Sequence, residues 1–328
     1  MKGLIMIIAL SAIAVGATAA SAEEPLVLEA KIPLGQVAGR IDHLAFDPAS
    51  GRLFVAELGN DSIGVVDVRA RKTVHTIKGL KEPQGVGYVE ANGTLFVANA
   101  GDGSVRLFRG ADFTPAGRIE LGDDADNIRV DSKAGQVFVG FGSGGIAILD
   151  AATGEKRGEI KLHAHPEAFQ LAPAGDRIYV NVPDAGQIVV LDRKSLKQVA
   201  RWPTRADTAN FPMALADGGA SILSVFRHPA RLVELSAKDG STLGKVEVCG
   251  DADDVFVDAR RHRAYVSCGA GVVDVLERQA GGYRHLASIP TSSGARTSFF
   301  SAELDRLFVA VRATGSTPAA IWIFRPSP

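Results

Sequence analysis

A short apolar strand motif recurs seven times along this chain of 328 residues. Successive copies lie about 42 residues apart, and they begin at Leu53, Leu95, Val137, Ile178, Ile222, Ala264 and Leu307. A period of roughly 40–45 residues built from short strands is typical of a β-propeller, in which each repeat forms one blade. We therefore expect an all-β, seven-bladed propeller, with any site confined to its loop-lined faces or its central channel.

Each repeat carries four strand signals. In the first repeat, these are Ile41–Phe46, Leu53–Glu57, Ile63–Val68 and Thr73–Ile77, with a proline- and glycine-containing turn at Asp47–Gly51. The second strand is apolar on both faces, as a strand packed between neighbouring blades should be. The fourth is more polar, which predicts an outer edge.

The ends of the chain predict how the ring closes. The last repeat stops after its third strand, Ile321–Phe324, whereas an extra copy of the fourth strand, Leu26–Ile32, precedes the first repeat. The N-terminal strand should therefore complete the last blade. Closure of this kind removes the open edges that would otherwise invite aggregation.

Residues 1–22 are expected to be a signal peptide, and residues 23–328 a single propeller domain. Lys2 precedes the apolar run Leu4–Val15, and Ala20-Ser21-Ala22 is a small-residue cleavage signal. The apolar run is too short to span a bilayer, which takes about 20 residues. We expect a periplasmic or secreted protein, a monomer without a membrane span.

Composition excludes some partners and cofactors. Lysine and arginine total 36 against 37 acidic residues, without a basic run, so nucleic acid is not an expected partner. The sequence lacks a Cys-x-x-Cys-His motif, so haem c is not an expected cofactor.

The repeat core resembles the YVTN-repeat, YncE-like periplasmic β-propeller family. The matching residues are Ile178-Tyr179-Val180-Asn181, Leu95-Phe96-Val97-Ala98-Asn99 and the strand Ile146–Asp150. The resemblance implies a propeller over residues 26–326 and a binding role, with a small molecule or a periplasmic protein as partner. The Gly-His and Trp-Asp signatures of WD40 propellers are absent from the sequence.

Polar residues recur eleven positions before the strand motif, at the start of each innermost strand. These positions hold Asp42, Gln84, Asp126, Glu167, Phe211, Asp253 and Arg296, with Asn210 as the polar alternative in the longer fifth hairpin. Neighbouring positions add His43, Asn127, His165, Asp251 and Asp254. Because inner-strand starts surround one mouth of a propeller channel, these side chains should converge there. The segments that carry them differ from one repeat to the next, which favours a ligand site grafted onto a uniform scaffold.

Several interpretations of this mouth stay open. It is either a binding site for a small ligand or protein, or a solvated opening whose polar residues cap strand ends. Its excess of carboxylates would suit a divalent cation such as calcium, with Asp126, Asp251, Asp253 and Asp254 as candidate ligands.

An enzyme is the second class of function. A lactonase-like hydrolase would use His165, Glu167, Arg227, His228 and Arg296 as base, acid and anion clamps, although only the residue types agree. A third class is a protein-interaction scaffold that uses the glycine-rich loops at Gly59, Gly101, Gly142 and Gly269.

The two cysteines belong to one hairpin of the sixth repeat. Cys249 precedes its first strand, and Cys268 ends its second. With a turn at Arg260-Arg261, Asp253 is expected opposite Cys268, so a disulfide requires residues 250–252 to fold back. A disulfide and free thiols both stay open.

Overall fold

The innermost strands of seven blades surround a channel in a computed structural model, which describes residues 24–315 and 317–328. Each blade is a four-stranded antiparallel sheet. Inner strands of successive blades contact one another, and the last contacts the first, so the sheets form a ring. The expected seven-bladed propeller is confirmed. The predicted signal peptide lies outside the described residues.

Strands are numbered β1 to β28 along the chain. The innermost strands of blades 1 to 7 are Leu44–Asp47 (β2), Pro83–Val89 (β6), Ala125–Asp131 (β10), Phe169–Leu171 (β14), Thr208–Ala216 (β18), Ala252–Asp258 (β22) and Ser298–Ser301 (β26). The second strands are Arg52–Glu57 (β3), Thr94–Asn99 (β7), Gln136–Phe141 (β11), Arg177–Val182 (β15), Ser221–His228 (β19), Arg263–Cys268 (β23) and Arg306–Val311 (β27). The third strands are Ser62–Asp67 (β4), Ser104–Arg109 (β8), Gly145–Asp150 (β12), Gln187–Asp192 (β16), Ala230–Ser236 (β20), Val272–Gln279 (β24) and Ala320–Pro326 (β28). The outer strands are Lys72–Lys78 (β5), Thr114–Glu120 (β9), Lys156–Lys161 (β13), Lys197–Pro203 (β17), Thr242–Glu247 (β21), Gly282–Pro290 (β25) and Leu26–Pro33 (β1).

The core lies between the blades, on both faces of the second and third strands. Phe54, Phe96 and Phe138 occupy equivalent second-strand positions, and all three are buried. The outer strand β5 is mostly exposed. This gradient confirms the sequence pattern, because a strand covered on both faces must be apolar throughout.

The N-terminal strand closes the ring. β1 pairs antiparallel with β28, from Leu26 opposite Pro326 to Pro33 opposite Ala320. The last blade thus takes its outer strand from one end of the chain and its other three from the other end. This arrangement ties the two termini together, as the missing fourth strand of the last repeat predicted.

The inner strands begin differently from the expectation. β2 starts at Leu44 rather than Ile41, because Asp42 and His43 pair irregularly with Ala56. Register shifts occupy the same place in β6, β10, β18 and β22. A bulge takes residues out of the ladder and re-aims their side chains, and bulges are common beside functional sites.

The described residues also contain three short 3-10 helices, Leu58–Asn60, Pro183–Ala185 and Asp217–Gly219. Within residues 24–315 and 317–328, no helix has the length and apolarity needed to cross a membrane.

Candidate functional site

A cavity of about 480 Å³ follows the central channel, and residues from all seven blades line it. Towards the strand starts, its lining is polar and includes His43, Asn127 and Asp254. Towards the strand ends, its lining is largely apolar and includes Phe46 and Tyr88. We call the end at the strand starts the channel mouth, and the residues grouped there are described below.

The bulges of the inner strands supply the side chains of the channel mouth. Gln84, Asp126 and Asp253 each fall within a register shift. Gly85 allows β6 and β10 to approach closely, because a Cβ atom there would clash with the carbonyl oxygen of Asp126. In blades 2, 3 and 6, the position eleven residues before the strand motif is therefore one that leaves the hydrogen-bonded ladder of the inner strand.

Four charged side chains from blades 5, 6 and 7 form one ion-pair network. Asp253 lies 2.7 Å from Arg227 and 2.9 Å from Arg296, measured between nitrogen and oxygen atoms. Asp251 lies 2.9 Å from Arg296 and 3.4 Å from Arg227. The Arg227 guanidinium also stacks on the Phe211 ring, 3.8 Å from its centroid. Burial raises the pKa of Asp253, although the two arginines oppose this rise.

Blade 1 contributes a second group. Arg40 Nη2 lies 2.8 Å from Asp42 Oδ2, an electrostatic contact without hydrogen-bond geometry. His43 lies between Asp42, at 3.8 Å, and Asp254, at 3.6 Å. Burial alone would lower the pKa of His43, but the carboxylates outweigh it and raise the pKa to about 10. Burial raises the pKa of Asp42 to about 7, even though His43 and Arg40 favour its charged form.

Blades 3 and 4 contribute a third group. His165 Nδ1 lies 2.6 Å from the carbonyl oxygen of Gly142, and the imidazole is 3.5 Å from Asp124 and 3.9 Å from Asp126. Burial opposes protonation, yet the contacts with Asp126 and Gly142 raise the pKa of His165 to about 9. Burial would also raise the pKa of Asp126, but the nearby imidazoles hold it below its ordinary value.

Glu167 lies in the same environment with a different outcome. Its backbone N–H donates to Asn181, at 3.0 Å, but in the described part of the chain its carboxyl group makes no ion pair within 4.0 Å. Burial and the neighbouring Asp126 raise the pKa of Glu167 to about 8. The side chain is therefore mostly protonated at neutral pH.

The structure brings most of the expected residues together. Asp42, Asp126, Glu167, Asp253 and Arg296 are coupled electrostatically at one mouth. Gln84 joins them through contacts of 3.5 Å with Arg40 and with Asp124. Asn127 lines the cavity, and its amide lies 3.3 Å from Asp126.

The structure corrects the role expected for Asn210. This side chain is fully buried, and its amide donates to Asn181 and to the carbonyl oxygen of Gln187. It therefore links blades 4 and 5 instead of facing the channel. Phe211, the residue at the aligned position, supports Arg227 at the mouth.

The four candidate metal ligands are dispersed among different partners. Asp251 and Asp253 contact arginines, Asp254 accepts from the Ser298 backbone N–H at 2.8 Å, and Asp126 contacts His165. Among the described residues, no three His, Cys, Asp or Glu side chains are grouped to hold a metal. The expected excess of negative charge is also corrected, because cationic side chains balance the carboxylates.

Two positively charged residues in or beside this region were missed by the sequence analysis. Arg40 precedes the aligned ring position by two residues, and Arg129 follows it by three. Neither lies at the repeat position that was compared. A comparison of the whole inner strand would have found Arg129, since it is the only positively charged residue at its level in the seven repeats.

Four of the five hydrolase candidates, His165, Glu167, Arg227 and Arg296, lie at the channel mouth. The raised pKa of His165, about 9, favours its protonated form at neutral pH and so disfavours it as the general base. Arg227 and Arg296 are engaged with aspartates. His228 is exposed at the far end of β19. The hydrolase interpretation stays a prediction.

The glycines of the scaffold interpretation lie in loops packed against the chain that leads into the inner strands. Gly59, for example, approaches the backbone of Ala38 so closely that a Cβ atom would lie 2.8 Å from its carbonyl oxygen. Gly269 packs against Asp251 in the same way. These glycines therefore have a structural role beside the mouth.

A disulfide joins Cys249 and Cys268, whose Cα atoms are 5.9 Å apart. The register differs by one residue from the expectation, because Ala252 rather than Asp253 lies opposite Cys268. Residues 250–252 do fold back, with Asp251 at a φ of 59°. The bond therefore fixes the position of the segment that carries Asp251. The carboxylate of Asp251 contacts both Arg227 and Arg296.

Comparison with known proteins identifies the fold alone. No family model matches the chain, and no curated protein sequence matches it. Among solved structures, a chain from the mitotic checkpoint complex has a TM-score of 0.80 at 11% identity, covering 100% of both chains. The WD40 repeats of RRP9 give 0.79 at 12% identity, covering 91% of this chain and 97% of that one. Hydrazine synthase of Kuenenia stuttgartiensis gives 0.74 at 16% identity, covering 90% and 95%. The chain thus has the architecture of WD40-like seven-bladed propellers.

Proposed function

We propose that this protein is an exported, monomeric, YncE-like binding protein that holds a small ligand at the channel mouth. The function rests on the mouth residues Asp42, Asp126, Glu167, Asp253 and Arg296. The signal-peptide pattern and the repeat motifs of the sequence support the exported, YncE-like part of the proposal. The polar groups at the mouth support the binding part.

The observation that carries the proposal is an unsatisfied acceptor, Asp126 Oδ1, next to the cavity lining at Asn127. Asp126 Oδ1 is buried and has no hydrogen-bond partner among the described residues. Glu167, which interacts electrostatically with Asp126, makes no ion pair within the described part of the chain. Buried polar atoms in folded proteins nearly always have a partner, and a group left without one costs about 1–3 kcal/mol. A ligand that donates hydrogen bonds here would remove this cost.

The same arrangement describes what the ligand must present. The mouth arginines already contact aspartates, so the groups still available are mainly acceptors. A hydroxyl, amide or ammonium group would satisfy Asp126 and Glu167. The cavity volume of about 480 Å³ lies within the roughly 300–1,000 Å³ of small-molecule pockets.

Native mass spectrometry tests the proposal on mature protein purified from its own compartment. We expect the wild-type protein to carry a small-molecule adduct that denaturation releases. The double variant Asp126→Asn/Glu167→Gln should lose the adduct. Glu120→Gln, on the exposed outer strand β9, is the matched control and should retain it. An adduct that persists in the double variant would place the ligand elsewhere and refute the proposal.

A further inference from the structure

At one level of the channel, each of the seven blades contributes the residue at the same position of its inner strand. These seven residues pair with the second residue of the strand motif, and all seven line the cavity. We call them the channel layer, and they are Ala45, Gly87, Arg129, Gln170, Ala214, Phe256 and Phe299. Their chemistry differs sharply around the ring, although the scaffold that presents them is the same.

Arg129 is the charged member of the channel layer. Its Nη1 donates to the carbonyl oxygen of Ile128 at 2.7 Å and lies 3.4 Å from Asn127 Oδ1. In the described part of the chain, no carboxylate lies within 4.0 Å of its guanidinium, in contrast with Arg40, Arg227 and Arg296 at the mouth. A guanidinium has five N–H donors arranged to bind a carboxylate through two parallel hydrogen bonds. Arg129 therefore keeps donors available for an anion.

The opposite wall of the channel layer is aromatic. Two blades separate Arg129 in blade 3 from Phe256 in blade 6, and two separate it from Phe299 in blade 7. The rings of Phe256 and Phe299 meet edge to face, with centroids 6.0 Å apart. Ala45 and Ala214 keep the remaining wall thin. An aromatic group in the channel would contact these rings while a carboxylate reaches across to Arg129.

The neighbour of Arg129 in the layer is also polar. Gln170 donates from Nε2 to the carbonyl oxygen of Met213 at 2.7 Å, which fixes its amide and leaves Oε1 as an acceptor. Beyond the layer, away from the mouth, the cavity is lined by Phe46, Tyr88 and Leu215. The channel thus offers one cationic wall, one aromatic wall and an apolar end.

We propose that the channel layer binds a small aryl carboxylate, with Arg129 as the anchor of the carboxylate and Phe256 and Phe299 as the contact of the ring. This inference rests on the proposed function and names its ligand class. Groups of the ligand that extend to the mouth would donate hydrogen bonds to Asp126 and Glu167.

Isothermal titration calorimetry of the mature protein tests the inference with four probes of similar size. Hydrocinnamate has the ring and the carboxylate, and phenyllactate adds a hydroxyl donor. Hydrocinnamyl alcohol is neutral, and phenethylamine is cationic. We expect both carboxylates to bind, phenyllactate more tightly, and the alcohol and the amine at least about 10-fold more weakly than hydrocinnamate, because a charge-assisted pair is lost.

Variants identify the anchor. Arg129→Gln should weaken both carboxylates by about 10-fold or more, and Arg129→Lys should weaken them less, since it keeps the charge but not the paired donors. Arg106→Gln is the control, because Arg106 lies on β8, outside the cavity lining. Circular dichroism and melting temperature establish that each variant folds. If Arg129→Gln does not fold, Arg129→Lys tests the anchor.

Three results would overturn the inference. These are absence of binding by both carboxylates, binding of phenethylamine as tight as that of hydrocinnamate, and unchanged affinity in a folded Arg129 variant.

The proposed function is tested separately. Glu167→Gln should weaken phenyllactate but leave hydrocinnamate unchanged, and a retained adduct in native mass spectrometry that depends on Asp126 and Glu167 would support a mouth ligand even if aryl carboxylates fail.

Discussion

Truncation of Leu26 tests whether the N-terminal strand holds the ring together. Leu26 is fully buried, and its core cluster includes Tyr265, Val273 and Ile289 of blade 6. At the other end of β1, Ile32 is also fully buried and packs with Leu53 of blade 1. A single strand from the N-terminus therefore packs against both neighbours of the last blade.

The magnitude follows from the burial of these side chains. Replacing a fully buried Leu or Ile with Ala typically costs about 2–5 kcal/mol, from lost transfer free energy and the cavity left behind. Leu26→Ala and Ile32→Ala should each lower the free energy of unfolding by about this amount. Leu28, on the same strand, is 41% exposed, so Leu28→Ala should change it by no more than about 0.5 kcal/mol.

Equilibrium unfolding in urea, followed by circular dichroism, measures the effect. The midpoint should fall clearly for Leu26→Ala and Ile32→Ala, with an unchanged slope, and should stay near the wild-type value for Leu28→Ala. Equal effects of all three substitutions, or an absence of effect at Leu26, would refute closure through β1. Deletion of residues 26–32 should be more damaging, because it also exposes the edge of β28.

Three further outcomes are expected. Stability should fall as the pH rises, because the folded state raises the pKa of Glu167 from 4.5 to about 8 and that of His43 from 6.5 to about 10, so the stability from Glu167 is lost between about pH 4.5 and 8 and that from His43 between about 6.5 and 10; urea midpoints should show a shallower pH dependence below about pH 8 in Glu167→Gln, and a midpoint that rises with pH over these ranges would contradict the assignment. Removing the disulfide in Cys249→Ala/Cys268→Ala, which are 19 residues apart, should cost roughly 3 kcal/mol in urea unfolding; an unchanged midpoint would show that the bond does not form. Calcium added to chelator-treated protein should leave the melting temperature unchanged, since arginines already contact carboxylates such as Asp253; a rise of several degrees would restore the cation site.

The architecture was predictable because it depends on features that repeat. The second strand of each blade is buried on both faces, so its apolar motif survives in seven copies, and a count of the copies gives the number of blades. The ring closure was equally readable, since Leu26–Ile32 matches an outer strand and the last repeat lacks one. Both features appear in the local periodicity that the backbone geometry of a blade imposes on the sequence.

The details of the site were harder to predict because they depend on departures from the repeat. The bulges that turn Gln84, Asp126 and Asp253 towards the mouth are changes of register, and alternation of apolar residues does not reveal a one-residue insertion. The expected position of Asn210 was wrong for this reason. Asn210 still pairs with Phe226 in the ladder, and the register shift of β18 begins only after it.

Charge was the second weakness of sequence reasoning. The charges at the one aligned position of each repeat predicted an acidic mouth. Arg40 lies two residues before that position in the first repeat, and its guanidinium contacts Asp42. Charge balance is a property of all groups within a few ångströms, whatever their place in the repeat. A propeller brings seven separate segments to one point, so the residues that neutralise one another come from different blades.

The same geometry supports the binding role proposed for this mouth and channel. Each blade contributes one side chain per level, and most of a blade's core packs between the blades rather than in the channel, so the side chains that face the channel can differ between blades while the backbone scaffold stays the same. Arg129 pairs with Phe138 as Ala45 pairs with Phe54, yet one level holds a guanidinium, an amide, two phenyl rings and three small residues. Packing alone does not require a charge at one of seven equivalent positions. Among the described residues, an arginine without a carboxylate partner lies opposite two aromatic rings and next to Asp126, whose Oδ1 lacks a hydrogen-bond partner, and this asymmetry is what the proposed binding of one asymmetric molecule would use.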